Sequence, residues 1–134
     1  MKSVAVASRS FSKNIFLRNK LLKRYPDAKF NDDGLSLSGD LLVDFLDGYE
    51  KAILALEVVN DSVLSRLPKL KVIGKYGVGL DMIDLNAMEK YGVKLGWSGG
   101  VNKRSVSELV ISFAIYLMHK VGFANNEVKR GKWY

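Results

Sequence analysis

The chain contains no cysteine, so disulfides and thiolate metal sites are excluded and a reducing compartment is permitted. Histidine occurs once, at His119, which excludes a histidine metal cluster within the chain. Only two prolines are present, and no repeat, Pro-rich linker or low-complexity tract argues for disorder. Long apolar runs are lacking too. Near the N-terminus only Val4 to Ala7 qualifies, far short of a secretory signal, and the expected compartment is the cytoplasm. The uncharged stretch Leu109 to Met118 is well below the ~20 residues that a membrane span requires, and Glu108 and Lys120 flank it.

At 134 residues the chain is the size of one domain, and roughly two-thirds of its unfolded surface can be buried. Its 48% hydrophobic and 26% charged content is ordinary and selects no function. The formal charge of +7 raises nucleic acid as a partner, so its distribution matters. Met1 to Phe30 carries +7, Asn31 to Glu89 carries −6, and Lys90 to Tyr134 carries +6. The first basic block, Lys13, Arg18, Lys20, Lys23 and Arg24, falls where the solvent side of an amphipathic helix is expected. No nucleic-acid motif or stacking platform accompanies it, and no nucleic-acid partner is expected.

Apolar β-branched runs alternate with helical patterns. Ser3 to Ala7 reads as a strand, followed by Ser12 as N-cap of a helix to about Tyr25, which Pro26 stops. Ala28 to Asn31 is a weak strand and Gly39 to Leu46 a short helix. Lys51 to Leu56 has the continuous apolar character of a strand buried on both faces, with a short helix to Leu67 after it. Leu70 to Lys75 is a fourth strand, Asp84 to Tyr91 a helix ended by Gly92, and Val93 to Trp97 a fifth strand. This alternation predicts an α/β fold, a flavodoxin-like three-layer parallel sheet of about five strands. From Ser105 to Val121 the pattern is helical but apolar nearly all round, which requires cover on several sides.

The strand at Leu70 to Lys75 leads through Tyr76 into Gly77-Val78-Gly79. Glycines at the carboxyl end of a parallel strand let backbone approach a bound group, and the amides of Val78 and Gly79, with Lys75 nearby, suit a carboxylate. A tight strand-to-helix turn explains the same spacing. A dinucleotide loop does not, because its third glycine would stand at Met82. Asp81 and Asp84 read as turn and helix-capping residues rather than a metal pair, His119 as structural, and Trp97 as a core aromatic at a strand end.

Taken together, LKVIGKYGVGLDMIDLNAMEKYGVKL, GGVNKRSVSELV and NEVKRGKWY, in this order and spacing, resemble the substrate-domain patterns of the D-isomer-specific 2-hydroxyacid dehydrogenases, including the phosphoglycerate dehydrogenase-like members. The match runs from about Gly48 to the end. The resemblance implies hydride transfer between C2 of a 2-hydroxy acid and NAD or NADP. It implies that Lys75, Tyr76, Gly77, Val78, Gly79 and Asn102 line the substrate site, and that Val78 and Asn102 also lie near the cofactor. The family's catalytic Arg, Glu and His and its phosphate-binding loop belong to the nucleotide-binding part, so no catalytic residue is assigned to this chain. The expected division is a substrate-binding domain over 1–101 and linker and dimerisation helices over 102–134. A homodimer through Ser105 to Val121 is implied as well. Alone, such an N-terminal part is expected to bind no cofactor and to be inactive, and a stand-alone non-enzymatic flavodoxin-like module that docks a partner is the alternative. Departures are Met82, Trp97-Ser98-Gly99 before the Gly-x-Asn turn, and Leu54 where phosphoglycerate-specific members carry an Arg.

Overall fold

The computed structural model describes residues 3–133, so Met1 and Lys2, in the first expected domain, and Tyr134, in the last motif, lie outside the described residues. The chain divides into two compact units, Met1–Ser98 and Gly99–Tyr134. The first unit runs β1 (Val4–Val6), α1 (Arg9–Lys13), α2 (Ile15–Leu22), β2 (Lys29–Phe30), α3 (Gly39–Leu46), β3 (Lys51–Leu54), α4 (Asp61–Leu64), β4 (Val72–Lys75), α5 (Leu85–Lys90) and β5 (Lys94–Gly96). All five strands are parallel, in the flavodoxin-like order β2-β1-β3-β4-β5.

Strand side chains alternate between faces, and the register turns that alternation into two apolar layers. Ala5, Ala52, Ile73 and Leu95 stand side by side across four strands and pack with Leu42 and Leu46 of α3, Leu64 of α4 and Met88 of α5. On the opposite face Val4, Val6 and Ile53 pack with Phe30 and with Phe11, Leu21 and Leu22 from α1 and α2. Small residues at Ala5 and Ala52 let the helices of the larger layer sit close to the sheet.

The helix expected from Ser12 to Tyr25 is two helices. Ser8 caps α1 by accepting from the Phe11 amide (3.2 Å), while Asn14 is extended, ends α1 and caps α2 through the Leu17 amide (3.1 Å). Ser12 lies buried inside α1, its hydroxyl donating to the Val6 carbonyl (3.3 Å). The basic side of this segment is not uniformly solvated either. Arg18 is ion-paired with Asp32, and its guanidinium lies 4.1 Å from the centroid of the Phe30 ring. The Arg18 hydrogen bond holds the Asp32 carboxyl below the ordinary carboxylate range.

Asn31 joins the loops after β1 and β2. It is 3% exposed, and its Nδ2 donates to the carbonyls of Ala7 (2.8 Å) and Leu35 (2.9 Å) while its Oδ1 accepts from the Leu35 amide (2.9 Å).

In the second unit α6 spans Lys103–Met118 and α7 spans Val121–Lys129. The helix expected to continue to Val121 breaks at His119 and Lys120, where Lys120 takes a left-handed conformation (φ 51°), and α7 leaves at 58° to α6. The apolar side chains of α6, from Val106 through Met118, are exposed. Among the described residues no single helix is long and apolar enough to cross a membrane.

Asn31→Ala removes the donor to the buried Ala7 carbonyl and both bonds to the partly buried Leu35 backbone, and is expected to cost about 3 kcal/mol. Urea denaturation checks this, as a lower midpoint with an unchanged slope.

Candidate functional site

The carboxyl edge of the sheet carries the glycine loop, and the backbone fixes it at both ends. At its start the Tyr76 amide donates to the Leu54 carbonyl (2.7 Å), continuing the β3–β4 ladder by one bond. At its end Ile83 forms a parallel bridge to Val59, with the Val59 amide donating to Met82 (2.8 Å) and the Asp84 amide donating to Val59 (2.9 Å). Asp84 then caps α5 through the Ala87 amide (3.0 Å). Residues 77 to 82 are thus a short span stretched between two anchors on the β3 side.

Inside that span Gly77 has φ +133°, a region open to glycine and strained for other residues. Among the described residues, no group of the chain accepts from the backbone N–H groups of Gly77, Val78 or Gly79. Lys75 extends over the loop: its Nζ donates to the Ala55 carbonyl and lies 3.4 Å from where a Cβ on Gly77 would stand. Free amides beside an ammonium group supply positive potential, partly offset by a neighbouring carboxylate. Asp81 is folded toward the same place, its Oδ2 3.2 Å from a Cβ built at Gly79. The Tyr76 ring meets Phe11 of α1 edge to face, with centroids 5.3 Å apart.

Beside the loop lies a pocket of about 360 Å³, lined by Ser8, Arg9 and Lys13 after β1 and by Ala55, Leu56 and Glu57 after β3. In the order β2-β1-β3-β4-β5 the chain reverses direction of winding between β1 and β3, and open parallel sheets form their crevice at that reversal. Glu57 is 8% exposed and accepts from the Ala55 amide (2.6 Å), so Ala55 is held through its N–H by Glu57 and through its C=O by Lys75. Sequence reasoning read Lys13 as part of a solvated basic block and assigned none of the pocket residues to a site, because the signal that locates the crevice is strand order.

Comparison with known proteins settles the family. Residues 5–130 match the D-isomer specific 2-hydroxyacid dehydrogenase, catalytic domain, family. The chain belongs to that family. A D-3-phosphoglycerate dehydrogenase from Archaeoglobus fulgidus is 32% identical over 98 residues, which is 72% of this chain and 19% of the relative. A protein from Polaromonas described as an NAD-binding D-isomer specific 2-hydroxyacid dehydrogenase superposes with TM-score 0.74 at 21% identity, over 98% of this chain and 40% of that one. A Pyrococcus horikoshii structure superposes with TM-score 0.76 at 27% identity, over 99% of this chain and 38% of that one. The chain thus spans about a fifth of the curated relative and about two-fifths of the solved chains.

For a 2-hydroxyacid dehydrogenase domain the expected site residues fall into two groups. Lys75, Tyr76, Gly77, Val78 and Gly79 form the loop of the first unit. Asn102 belongs to the second unit, where it occupies the N-cap position of α6 without making a side-chain capping bond. The division between units falls after Ser98, a few residues before the boundary expected at 101. Asp84 is the helix cap expected of it. Trp97 is not a core aromatic: it is 46% exposed, and its indole N–H donates to the Val78 carbonyl (3.0 Å). The ring lies just past the end of β5 and meets the loop through this hydrogen bond rather than the core. Among the described residues no group of acidic or histidine side chains is arranged to hold a metal ion.

Gly77→Ala places a Cβ at φ +133°, toward the Lys75 ammonium, and is expected to cost about 1–3 kcal/mol, whereas Gly79→Ala needs only a small movement of Asp81. Melting temperatures of the two variants, measured side by side, check the difference.

Proposed function

We propose that this chain is the substrate-binding part of an NAD- or NADP-dependent dehydrogenase that interconverts a D-2-hydroxy acid and its 2-oxo acid. The observation that carries the reading is the pair of unpartnered amides at Val78 and Gly79, beside Lys75, on a loop anchored at both ends. Two N–H donors fit one carboxylate, and an anion held by oriented backbone dipoles keeps its charge without a buried counter-ion. Holding the carboxylate fixes C1 of the substrate and so fixes where C2 stands. That orientation is this chain's share of the chemistry, because hydride transfer needs C2 at a set distance and face.

The nicotinamide ring, when bound, gives or takes the hydride at C2. The residues here fit only the edge of such a cofactor. The Gly77–Met82 loop has no third glycine, and α5 begins beyond the Ile83 bridge, so no pyrophosphate cradle forms at this strand. Val78 and Asn102 are the residues assigned to the nicotinamide side, with Asn102 offering an amide side chain free of its helix cap. Proton transfer from the C2 hydroxyl and binding of the cofactor phosphates belong to groups outside residues 1–134. The cytoplasm is the compartment we assign.

The exposed apolar surface of α6 is the second part of the proposal. Leu109, Ile111, Phe113, Ile115 and Leu117 are each at least half exposed. Burial of such side chains contributes about 1.5–3 kcal/mol apiece, enough to drive association with a second copy. Light scattering is expected to give a dimer or larger species, and Phe113→Glu is expected to shift it toward monomer. A clean monomer at all concentrations rejects this role for the helix.

Oxalate, a stable two-carboxylate mimic of a 2-oxo acid, tests the loop. Titrated into the ¹⁵N-labelled chain at constant ionic strength, it is expected to shift the Val78 and Gly79 amides, with binding weakened several-fold in Lys75→Met. Shifts elsewhere with none at the loop overturn the assignment. The purified chain, checked by intact mass, is expected to show no NAD(H)-dependent turnover of D-lactate or pyruvate, and turnover overturns the division of labour.

A further inference from the structure

The Val78–Gly79 peptide is the group on which the carboxylate assignment turns, and its orientation is poorly determined by the loop itself. This peptide plane turns about ψ of Val78 and φ of Gly79, and Gly79 has no Cβ to restrict the second of these. Among the described residues a single hydrogen bond engages either polar atom of that plane: the Trp97 indole N–H to the Val78 carbonyl, at 3.0 Å. A trans peptide is planar, with C=O and N–H pointing in opposite directions, so fixing the carbonyl fixes the amide.

We propose that Trp97 is a positioning residue for the substrate carboxylate: by holding the Val78 carbonyl it aims the Gly79 amide away from the indole, toward the bound anion. The inference rests on the carboxylate reading of the loop and adds to it the residue that sets its geometry. Donation to the carbonyl also polarises the peptide and strengthens its N–H as a donor. The position of Trp97 follows from the sheet. Gly74 of β4 and Gly96 of β5 are register partners, so the residue after Gly96 lies beside the exit of β4, where the loop begins. An indole is long enough to cross from there to Val78 and carries one donor and no acceptor, so it holds a carbonyl and leaves the amide free.

The test uses oxalate and the intact 134-residue chain, with Trp133→Phe as background so that Trp97 is the one indole reporter. In that background the Trp97 indole N–H resonance is expected to move with the Val78 and Gly79 amides along one binding curve. Trp97→Phe is expected to raise the oxalate dissociation constant roughly three- to tenfold and to shift the Gly79 amide even without ligand. Because Phe also changes ring size, a second variant carries β-(3-benzothienyl)alanine at position 97, which keeps the bicyclic shape and removes only the N–H donor. It is expected to match the Phe variant, and restoring Trp restores affinity. If oxalate shifts the loop amides of the parent but both variants bind it equally well, the positioning role is wrong while the carboxylate assignment stands. If oxalate leaves the Val78 and Gly79 amides unmoved in the parent, both are wrong.

Discussion

The parallel pairing of β3 with β4 is the constraint from which the site follows. Lys51 to Leu54 run in register with Val72 to Lys75, and the ladder extends past the strand ends when Tyr76 donates to Leu54. Because the strands are parallel, both chains leave the sheet at the same edge and in the same direction. The segment after β3 can therefore hold the segment after β4 twice, at Leu54 and at Val59, with Lys75 and Glu57 clasping Ala55 between them. A loop pinned in this way can leave its own amides unpaired without collapsing. A freely hanging glycine loop would fold those amides onto its own carbonyls or onto the neighbouring Asp81.

This arrangement supports the anion-site reading we propose where spacing alone leaves two readings open. Gly-x-Gly after a strand is satisfied equally by a tight turn and by an anion site. A tight turn uses its amides internally, whereas here the first amide to find a backbone partner again is that of Ile83, which bonds to Leu80 (2.9 Å). Among the described residues the amides of Gly77, Val78 and Gly79 find no acceptor. Gly77 takes a positive φ there, and Lys75, tethered at Ala55, supplies charge without competing for the amides as an acceptor would.

Much of the fold is legible in the sequence because its signals are local. The apolar run at Lys51, the Gly39 to Leu46 helix and the Asp84 cap depend on neighbours within a turn or two, and the structure has them there. The break at Asn14 is not legible in the same way. Ser8, Ser12 and Asn14 are all competent caps, and which of them caps is decided by Val6, whose carbonyl takes the Ser12 hydroxyl into the core. The crevice at Ser8 and Glu57 needs strand order, and Trp97 needs the register of β5 against β4; both are tertiary facts. A tryptophan at a strand end reads as core on average, and the exception arises where a polar partner competes for its N–H.

The last helix pair poses a different physical problem. A helix that displays Leu109, Phe113 and Leu117 along one line and Val110, Tyr116 and Met118 elsewhere around its circumference gives water a polar side only in its first half, at Arg104, Glu108 and Ser112. Intrinsic propensity cannot compensate for exposure on that scale, since most helical stability in proteins comes from packing. Within its own unit the Tyr116 hydroxyl of α6 approaches Gly122 of α7 so closely that a side chain on residue 122 would clash with it. That contact lies across the bend at Lys120 and leaves the apolar side chains of α6 exposed. The apolar surface left on α6 is the physical reason for the association with a second copy that we propose.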